Sequence, residues 1–427
     1  MRLSAATGDL GRGLADTKAS LATLSKTRKM GDWFIGRAAR AVLGERLAEE
    51  RMTAALTHEH VRIATTTHEA PDLGSGSPSP NRRTFVGATV AAAVAAAAAG
   101  LDARVAHAKD SKNADLNAQL PAGFVPLTIP GRVVRVTKPG CLEPNGLYPK
   151  AADAKEMLRR ALEELTGKAD VAEAIKLFIS PQDKVCVKPN GIALQNMSTN
   201  KELILPLLEA LIAAGVAASN ITVLEQYQGY MNGTRVNAKN VPAGVNLAIH
   251  ANNDATMDWR MVPGTNTRTK FARVLLESTA LIDMALVKDH AICGYTGALK
   301  NLTHGCTVNP QDFHVHHASP QIGILSAQDA FRSRLRLCIS DGFKLMAHGG
   351  PLYKQPQYVV AHESVYASTD PVALDVIGWQ AVEKARSQFG LKSLTDEGRA
   401  PAYLQVAADM GVGTADTAKI SLREVTI

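Results

Sequence analysis

Residues 286–317 concentrate side chains that could carry out chemistry. These 32 residues contain two lysines, five histidines and two cysteines, and they begin in an apolar run. Lysine binds phosphate or carboxylate and polarises carbonyl groups, and histidine transfers protons near neutral pH and ligates metals. So many ionisable side chains next to an apolar run indicate a functional site rather than a core.

Three lysines could form an anion site. Lys188 and Lys288 each end an apolar, strand-like run, and Lys300 follows in a glycine-containing segment. Residues 297–301 could also present helix N-terminal amides to the same anion. The alternative for each lysine is an exposed position that only improves solubility. For Lys300, considered without the other two lysines, this alternative is favoured.

His290 is the candidate for general acid–base chemistry, because the unperturbed pKa of histidine lies nearest neutrality. Lys288 lies two residues before it, and Glu225 ends another strand-like run. We interpret these three residues as candidate catalytic residues. The candidate ligand-binding residues are Lys188, Asn190, Lys300, Asn301 and Asp341.

A group of histidines could bind a metal. His314, His316 and His317 follow the pattern H-x-H-H, and Cys306 precedes them. On an extended segment, residues i and i+2 point to one side, and imidazole is a common metal ligand. A polar loop whose histidines cap turns explains the pattern equally well, and no standard zinc motif is present. A metal therefore stays open, and any other cofactor is unknown.

The five cysteines do not form an iron–sulfur motif, because no four of them are closely spaced. Cys186 and Cys338 lie within apolar runs and are expected to be packing residues. A disulfide between Cys293 and Cys306 and thiolate ligation of a metal are both open.

Strand-like and helix-like patterns alternate along the chain. The predicted strands are residues 132–137, 184–188, 221–225, 281–287, 335–339 and 420–425. The predicted helices are residues 151–166, 171–178, 200–214, 269–279 and 370–389. This alternation predicts an α/β fold, with a mostly parallel sheet and helices on both faces, in a three-layer, Rossmann-like arrangement.

In such a fold, ligands bind at loops that follow the carboxyl ends of the strands. Several of the candidate side chains end predicted strands or directly follow them. We therefore expect five of them to converge at one edge of the sheet: Lys188, Glu225, Lys288, His290 and Asp341.

The N-terminal region has a different character. Residues 1–80 are predicted to be a disordered leader. The alternative is that translation begins at Met52 rather than at Met1. Residues 81–108 resemble a twin-arginine export signal, in which Arg82 and Arg83 precede an alanine-rich run and cleavage follows Ala108. The run is too short and too weakly apolar to predict a membrane span. A periplasmic or exported protein is expected, with the twin-arginine export machinery as a partner.

The net charge of +7 does not indicate a nucleic-acid partner. Residues 1–108 carry 14 Lys+Arg and 10 Asp+Glu, and the remainder carries 33 and 30. The main body is therefore close to neutral, and it has no long basic run and no basic stripe interleaved with aromatics. Nucleic acid is excluded as an expected partner.

Five short motifs, in order, resemble the domain of unknown function 362 family. They are the KPN motif at 188–190, K-x-H at 288–290, the glycine-to-asparagine segment at 297–302, SDG…GGP at 340–351, and S-x-DPVA-x-D at 368–375. The resemblance covers about residues 134–386 of an expected α/β domain at 109–427, and it implies no particular reaction. Some family members carry cysteine-rich iron–sulfur modules, which this chain lacks.

Two functions follow from these residues. The first is an exported enzyme that binds an anionic substrate or cofactor through lysines at strand ends, with or without a metal. The alternative is a non-catalytic periplasmic binding or accessory protein that delivers a metal or cofactor.

Overall fold

The computed structural model describes residues 116–427, and the structural statements below concern that part of the chain. The predicted leader, the Met52 start and the export signal with Arg82, Arg83 and Ala108 lie outside the described residues. No described helix is long and apolar enough to cross a membrane.

The described chain contains eleven strands and ten α-helices. The strands are β1 (Arg132–Thr137), β2 (Val185–Pro189), β3 (Ile221–Glu225), β4 (Asn246–Ile249), β5 (Arg260–Met261), β6 (Arg268–Thr269), β7 (Ala280–His290), β8 (Gly294–Thr296), β9 (Leu335–Met346), β10 (Val359–Ser368) and β11 (Ser421–Thr426). The helices are α1 (Ala151–Thr166), α2 (Val171–Ile175), α3 (Lys201–Ala213), α4 (Gln228–Gly233), α5 (Arg273–Glu277), α6 (Ala298–Gly305), α7 (Gln321–Ser326), α8 (Asp329–Arg332), α9 (Pro371–Gln388) and α10 (Tyr403–Asp409).

Nine strands form one mixed sheet in the order β11-β1-β10-β9-β7-β2-β3-β4, with β8 paired to β7. All neighbours in this order are parallel except β10, which is antiparallel to both β1 and β9. The parallel strands therefore end at one edge of the sheet, called the carboxyl edge here. The prediction of an α/β fold with a mostly parallel sheet is confirmed.

Alternating side chains of β7 bury both faces of the sheet. Ile282 and Met284 pack in the core beneath α1, α2 and α3, whereas Ala285 and Val287 pack in a core that includes residues of α6 and α9. This period of two is what the strand pleat imposes. It directs Asp283 to the face that α6 covers, where it meets Asn301.

The bounds of β1, β3 and α1 are those predicted, and those of β2, α3, α9 and β11 differ by one residue at each end. Helix α2 is shorter than predicted and ends at Ile175, whereas β7 is longer and ends at His290.

Two other elements differ more. The predicted helix at 269–279 is helical only at Arg273–Glu277. Thr269 instead belongs to a two-stranded ribbon with β5, and the Thr279 amide already donates to the Lys184 carbonyl at 2.9 Å. Because Thr269 pairs with β5 and Thr279 bonds to Lys184, only residues 273–277 between them form a helix.

The predicted end of the strand at residue 339 is also wrong, because β9 continues to Met346. It pairs there with β10, an antiparallel strand that the sequence patterns did not indicate. Gly342 lies inside this strand and allows close packing, because a Cβ atom there would lie 2.9 Å from the Ser364 carbonyl oxygen. A glycine inside a strand often marks such a close approach.

Asp370 joins the start of α9 to two distant segments. One carboxylate oxygen accepts hydrogen bonds from the Val372 and Ala373 amides at 3.0 and 2.9 Å, which caps the helix. The other accepts from the Gly131 and Thr414 amides at 2.9 and 3.1 Å. One buried carboxylate thus satisfies four backbone donors from three segments.

Replacement of Asp370 by alanine should lower the free energy of unfolding by about 3–5 kcal/mol, because it leaves four amides without their acceptor. Chemical denaturation measures this change. Asp416→Ala is the matched control, since the Asp416 carboxylate accepts from one backbone amide, that of Ala418 at 3.0 Å, and otherwise makes, among the described residues, only an exposed ion pair with Lys419, so its loss should cost about 1 kcal/mol or less. Equal losses in the two variants would contradict this account.

Candidate functional site

The structure brings Lys188, Glu225 and Lys288 together at the carboxyl edge. Lys188 lies near the end of β2, Glu225 ends β3, and Lys288 lies near the end of β7. The side chain of Asn190 links them to α6: it accepts a hydrogen bond from Lys288 Nζ at 3.0 Å and donates one to Asn301 Oδ1 at 3.1 Å. These five side chains are all buried.

Lys188 and Glu225 form a buried ion pair. Lys188 Nζ lies 3.1 Å from Glu225 Oε2 and also donates to the Pro189 carbonyl at 2.6 Å. The Glu225 oxygens accept further hydrogen bonds from the amides of Gly191 at 2.6 Å and Gln226 at 2.8 Å. With its charges paired and its oxygens occupied, this pair positions neighbouring groups.

Asn301 holds α6 against the sheet. Its Nδ2 donates to the Lys188 carbonyl at 3.1 Å and to Asp283 Oδ1 at 2.7 Å. Burial raises the pKa of Asp283 well above its usual range, and Asp283 Oδ2 has no hydrogen-bond partner among the described residues. Asp283 thus lies beneath the site with a carboxyl group that favours its protonated form more than usual, and the predicted site did not include it.

Lys288 is a buried amine without a carboxylate partner in residues 116–427. It is 0% exposed, and Nζ donates to Asn190 Oδ1 and, at 3.2 Å, to the Pro351 carbonyl. Burial lowers the pKa of Lys288 to about 7; the Glu225 carboxylate opposes this change, and the charges of Lys300 and Lys188 add to it. Lys288 can therefore gain or lose a proton near neutral pH.

Lys300 is also buried, and its neighbour is a histidine. Lys300 Nζ lies 2.9 Å from His314 Nε2, while His314 Nδ1 donates to the Pro310 carbonyl at 3.0 Å. This arrangement makes Nε2 the acceptor for the lysine. Burial lowers the pKa of Lys300 to about 8. Burial, together with the charge of Lys300, lowers the pKa of His314 to about 3.

His290, His304 and His314 form a cluster, called the histidine cluster here. The ring centres of His290 and His314 lie 5.6 Å apart and those of His304 and His314 lie 4.7 Å apart. Burial, reinforced by Lys300, lowers the pKa of His290 and of His304 well below the usual value. All three rings are neutral at pH 7, so the folded His290 does not titrate near neutrality as the sequence suggested.

The tautomer of His290 follows from its contacts. His290 Nδ1 accepts hydrogen bonds from the amides of Ile292 at 3.1 Å and Cys293 at 3.3 Å. The single proton of the neutral ring must then lie on Nε2. His290 is thus fixed as a hydrogen-bond donor.

The predicted metal-binding set is not assembled. His316 and His317 are exposed and have left-handed backbone angles, with φ of 52° and 59°, whereas His314 points inward to Lys300. The segment is a turn, so the rule for extended residues i and i+2 does not apply. Residues 116–427 contain no group of three His, Cys, Asp or Glu side chains that could hold a metal ion.

The cysteines do not pair. All five are free and buried, so the disulfide between Cys293 and Cys306 does not form. Cys293 Sγ instead donates to the Tyr295 carbonyl at 3.3 Å. Burial raises the pKa of Cys306 to about 12, which keeps it a neutral thiol.

Two further expectations about ligand binding change. Asp341 lies inside β9, where its oxygens accept hydrogen bonds from the Asn200 amide at 2.7 Å and the Phe343 amide at 3.2 Å. The amides that begin α6 donate to the Asp375 carboxylate, from Ala298 at 2.7 Å and from Leu299 at 3.0 Å. Asp341 therefore anchors the start of α3, and the α6 amides are occupied by a carboxylate of this chain.

Replacement of Lys288 by methionine should remove a pH dependence of stability. An unfolded lysine, with its ordinary pKa of 10.5, keeps a proton that folded Lys288, with its pKa of about 7, has lost. Stability therefore rises with pH wherever the unfolded state binds more protons. From pH 7 to about 10, the wild type should gain about 2–4 kcal/mol relative to Lys288→Met.

Denaturant unfolding at a series of pH values measures this difference. Lys168→Met, at an exposed position, is the control and should show no such trend. A wild-type minus Lys288→Met difference that stays flat with pH would show that folded Lys288 keeps an ordinary pKa.

Comparisons with known proteins give a family match over part of the chain. A protein from Thermotoga maritima has a TM-score of 0.36 at 12% identity, with 57% of this chain and 60% of that chain covered. The lactate racemase apoprotein from Thermoanaerobacterium thermosaccharolyticum has a TM-score of 0.32 at 12% identity, with 62% and 59% covered. The chain thus spans less than two thirds of either structure, and similarities this low carry no argument about function.

No curated protein matches the chain. Residues 185–380 match the family described as domain of unknown function (DUF362), which confirms the family resemblance over that stretch.

Proposed function

We propose that this protein is an enzyme that binds a small anionic substrate or cofactor beside Lys288 and Lys300. The observation that carries this proposal is the burial of two lysines without a paired carboxylate in the described chain, whereas Lys188 next to them has Glu225. An unpaired buried cation costs several kcal/mol. A bound anion would offset that cost, because opposite charges attract strongly in a site that excludes water.

The same charges define how protons move in the proposed reaction. Lys288, with its pKa of about 7, is the group that exchanges a proton at neutral pH. His290 stays neutral and donates a hydrogen bond from Nε2 to oxygen that gains negative charge. Because an anion raises the pKa of nearby lysines, ligand binding should be accompanied by proton uptake.

A non-catalytic binding protein is the second candidate. Lys288, Lys300 and His290 are 0%, 6% and 3% exposed, so a ligand enters only if covering segments move. The Pro351 carbonyl on Lys288 and the 310–314 turn beside Lys300 are the parts that would have to move. Reversible loading without turnover would use the same anion site.

Substitutions separate these functions. Lys300→Met should weaken anion binding at least about tenfold, because it removes a charged donor. His290→Asn keeps an acceptor for the Ile292 and Cys293 amides in place of Nδ1 and removes Nε2. This variant should bind as the wild type does and lose about 100-fold or more in turnover.

Calorimetric titration with inorganic phosphate, succinate and glycerol phosphate measures binding, and mass spectrometry of a panel of phosphorylated and carboxylated compounds measures turnover. Lys168→Met, at an exposed position, is the charge-matched control. Binding of these anions unaltered by Lys300→Met would refute the anion site. Binding without conversion of any compound would favour the carrier.

We also propose that the protein is exported to the periplasm by the twin-arginine export machinery. The support is the order of features in residues 81–108, where the arginine pair precedes an alanine-rich run and small residues. Replacing Arg82 and Arg83 by lysines should block export. Cell fractionation would then find uncleaved protein in the cytoplasm, and N-terminal sequencing of the exported wild type should begin at Lys109. Export that survives the double substitution would refute this route.

A further inference from the structure

A cavity lies at the carboxyl edge of the sheet, and the lysines of the proposed site do not line it. Its volume is about 310 Å³, and it is bounded by β1, β9 and β10 on one side and by the last turns of α9 on the other. None of its lining residues belongs to the histidine cluster or to the lysines beside it. Ligand-binding cavities begin at about 300 Å³, so it is large enough for a small organic molecule.

Two cations line this cavity. Arg135 comes from β1 and Lys384 from α9, and no aspartate or glutamate is among the lining residues. Of the nearby acids, Glu363 accepts from the Gly140 amide at 2.8 Å and Glu383 accepts from Trp379 Nε1 at 2.9 Å, whereas Glu424 pairs with Arg135. The lining residues therefore carry a net positive charge, part of which Glu424 offsets from outside the cavity.

Arg135 keeps a donor that is not satisfied within residues 116–427. Its Nη2 pairs with Glu424 on the adjacent strand β11, a residue that is half exposed. Its Nε is buried and has no hydrogen-bond partner among the described residues. Since Nε has almost no exposed surface, an anion in the cavity would meet the exposed part of the Arg135 side chain, which is 30% exposed.

His362 contributes a neutral polar group. The Tyr366 hydroxyl lies 2.6 Å from His362 Nε2, and the two rings are stacked. Burial raises the pKa of Tyr366 to about 12, so this hydroxyl stays protonated and shares one hydrogen bond with His362 Nε2. Burial, with the charges of Arg135 and Lys384, lowers the pKa of His362 to about 4, so the ring adds a polar group without charge.

The backbone at His362 is distorted in a way that suits a site. The register of β10 against β9 shifts between Ala361 and Ser364, and Glu363 has a φ of 50°. A bulge of this kind redirects side chains, and bulges are frequent next to binding sites. Here the Glu363 side chain meets Gly140, whereas His362 lines the cavity.

The remaining wall is mixed: Thr137, Ser364 and Gln388 are polar, and the other side chains are apolar. Leu345 and Val360 contribute from the sheet, and Ala381 and Ala385 contribute from α9. The small alanines leave the space that a larger side chain would fill. A ligand that fits both parts of the cavity has an anionic head and a short apolar body.

We propose that this cavity is a binding site for a small organic anion with an apolar body, held by Arg135 and Lys384. This site is independent of the one beside Lys288 and Lys300.

Calorimetric titration of the full chain with four probes, each with six carbon atoms, tests the proposal. Hexanoate and hexyl phosphate carry the anionic head, hexanol has no charge, and hexylamine has the opposite charge. At least one of the two anions should bind with one molecule per chain, and hexanol and hexylamine should bind at least about tenfold more weakly. The preferred head group distinguishes a carboxylate ligand from a phosphate monoester.

Substitutions locate the binding. Lys384→Met and Arg135→Met should each weaken the bound anion about tenfold or more, and Ala385→Phe should fill the cavity and abolish binding. Lys392→Met removes the same charge at an exposed position outside the cavity and should leave the affinity unchanged. Lys288→Met should also leave it unchanged, which separates this site from the proposed active site.

Three outcomes would overturn the proposal. They are a wild type that binds neither anion, hexanol that binds as tightly as the better of the two anions, and an equal effect of Lys384→Met and Lys392→Met. If Ala385→Phe does not fold, the two charge variants decide, because Lys384 is exposed and its replacement leaves the core intact.

Discussion

The buried ion pair between Lys188 and Glu225 is the interaction on which the carboxyl edge depends. Either charge alone would cost several kcal/mol to bury, so each requires the other within hydrogen-bonding distance, and they lie 3.1 Å apart. The pair joins the ends of β2 and β3 and engages the Gly191 and Gln226 amides. Asn190 and the edge of α6 are then placed beside a neutral pair rather than beside a free charge.

Charge in the rest of the site is kept low by burial. The histidine cluster is neutral, and the pKa of Asp283 is raised well above its usual range, because desolvation disfavours the charged form of both groups. Lys288 and Lys300 are the exceptions, since burial brings their pKa values only to about 7 and 8. The unmatched positive charge is therefore concentrated where a substrate would meet it.

The sequence predicted where site residues lie along the strands better than it predicted which residues they contact. The ends of β2, β3 and β7 could be read from apolar runs, and the structure places Lys188, Glu225 and Lys288 together there. The H-x-H-H pattern gave no such guidance, because its residues lie in a turn with left-handed angles. Strand β10 was missed because His362 and Glu363 interrupt its apolar pattern at a bulge.

What the sequence by itself determined is the α/β alternation and the side chains that end the central strands, since both follow from a local period of two or 3.6 residues. Only the tertiary structure decided the partner and the protonation state of each ionisable group. Lys288 and Asn190 are 98 residues apart in the sequence, and Asn190 and Asn301 are 111 apart. A pKa depends on burial and on such distant neighbours, which no local pattern encodes.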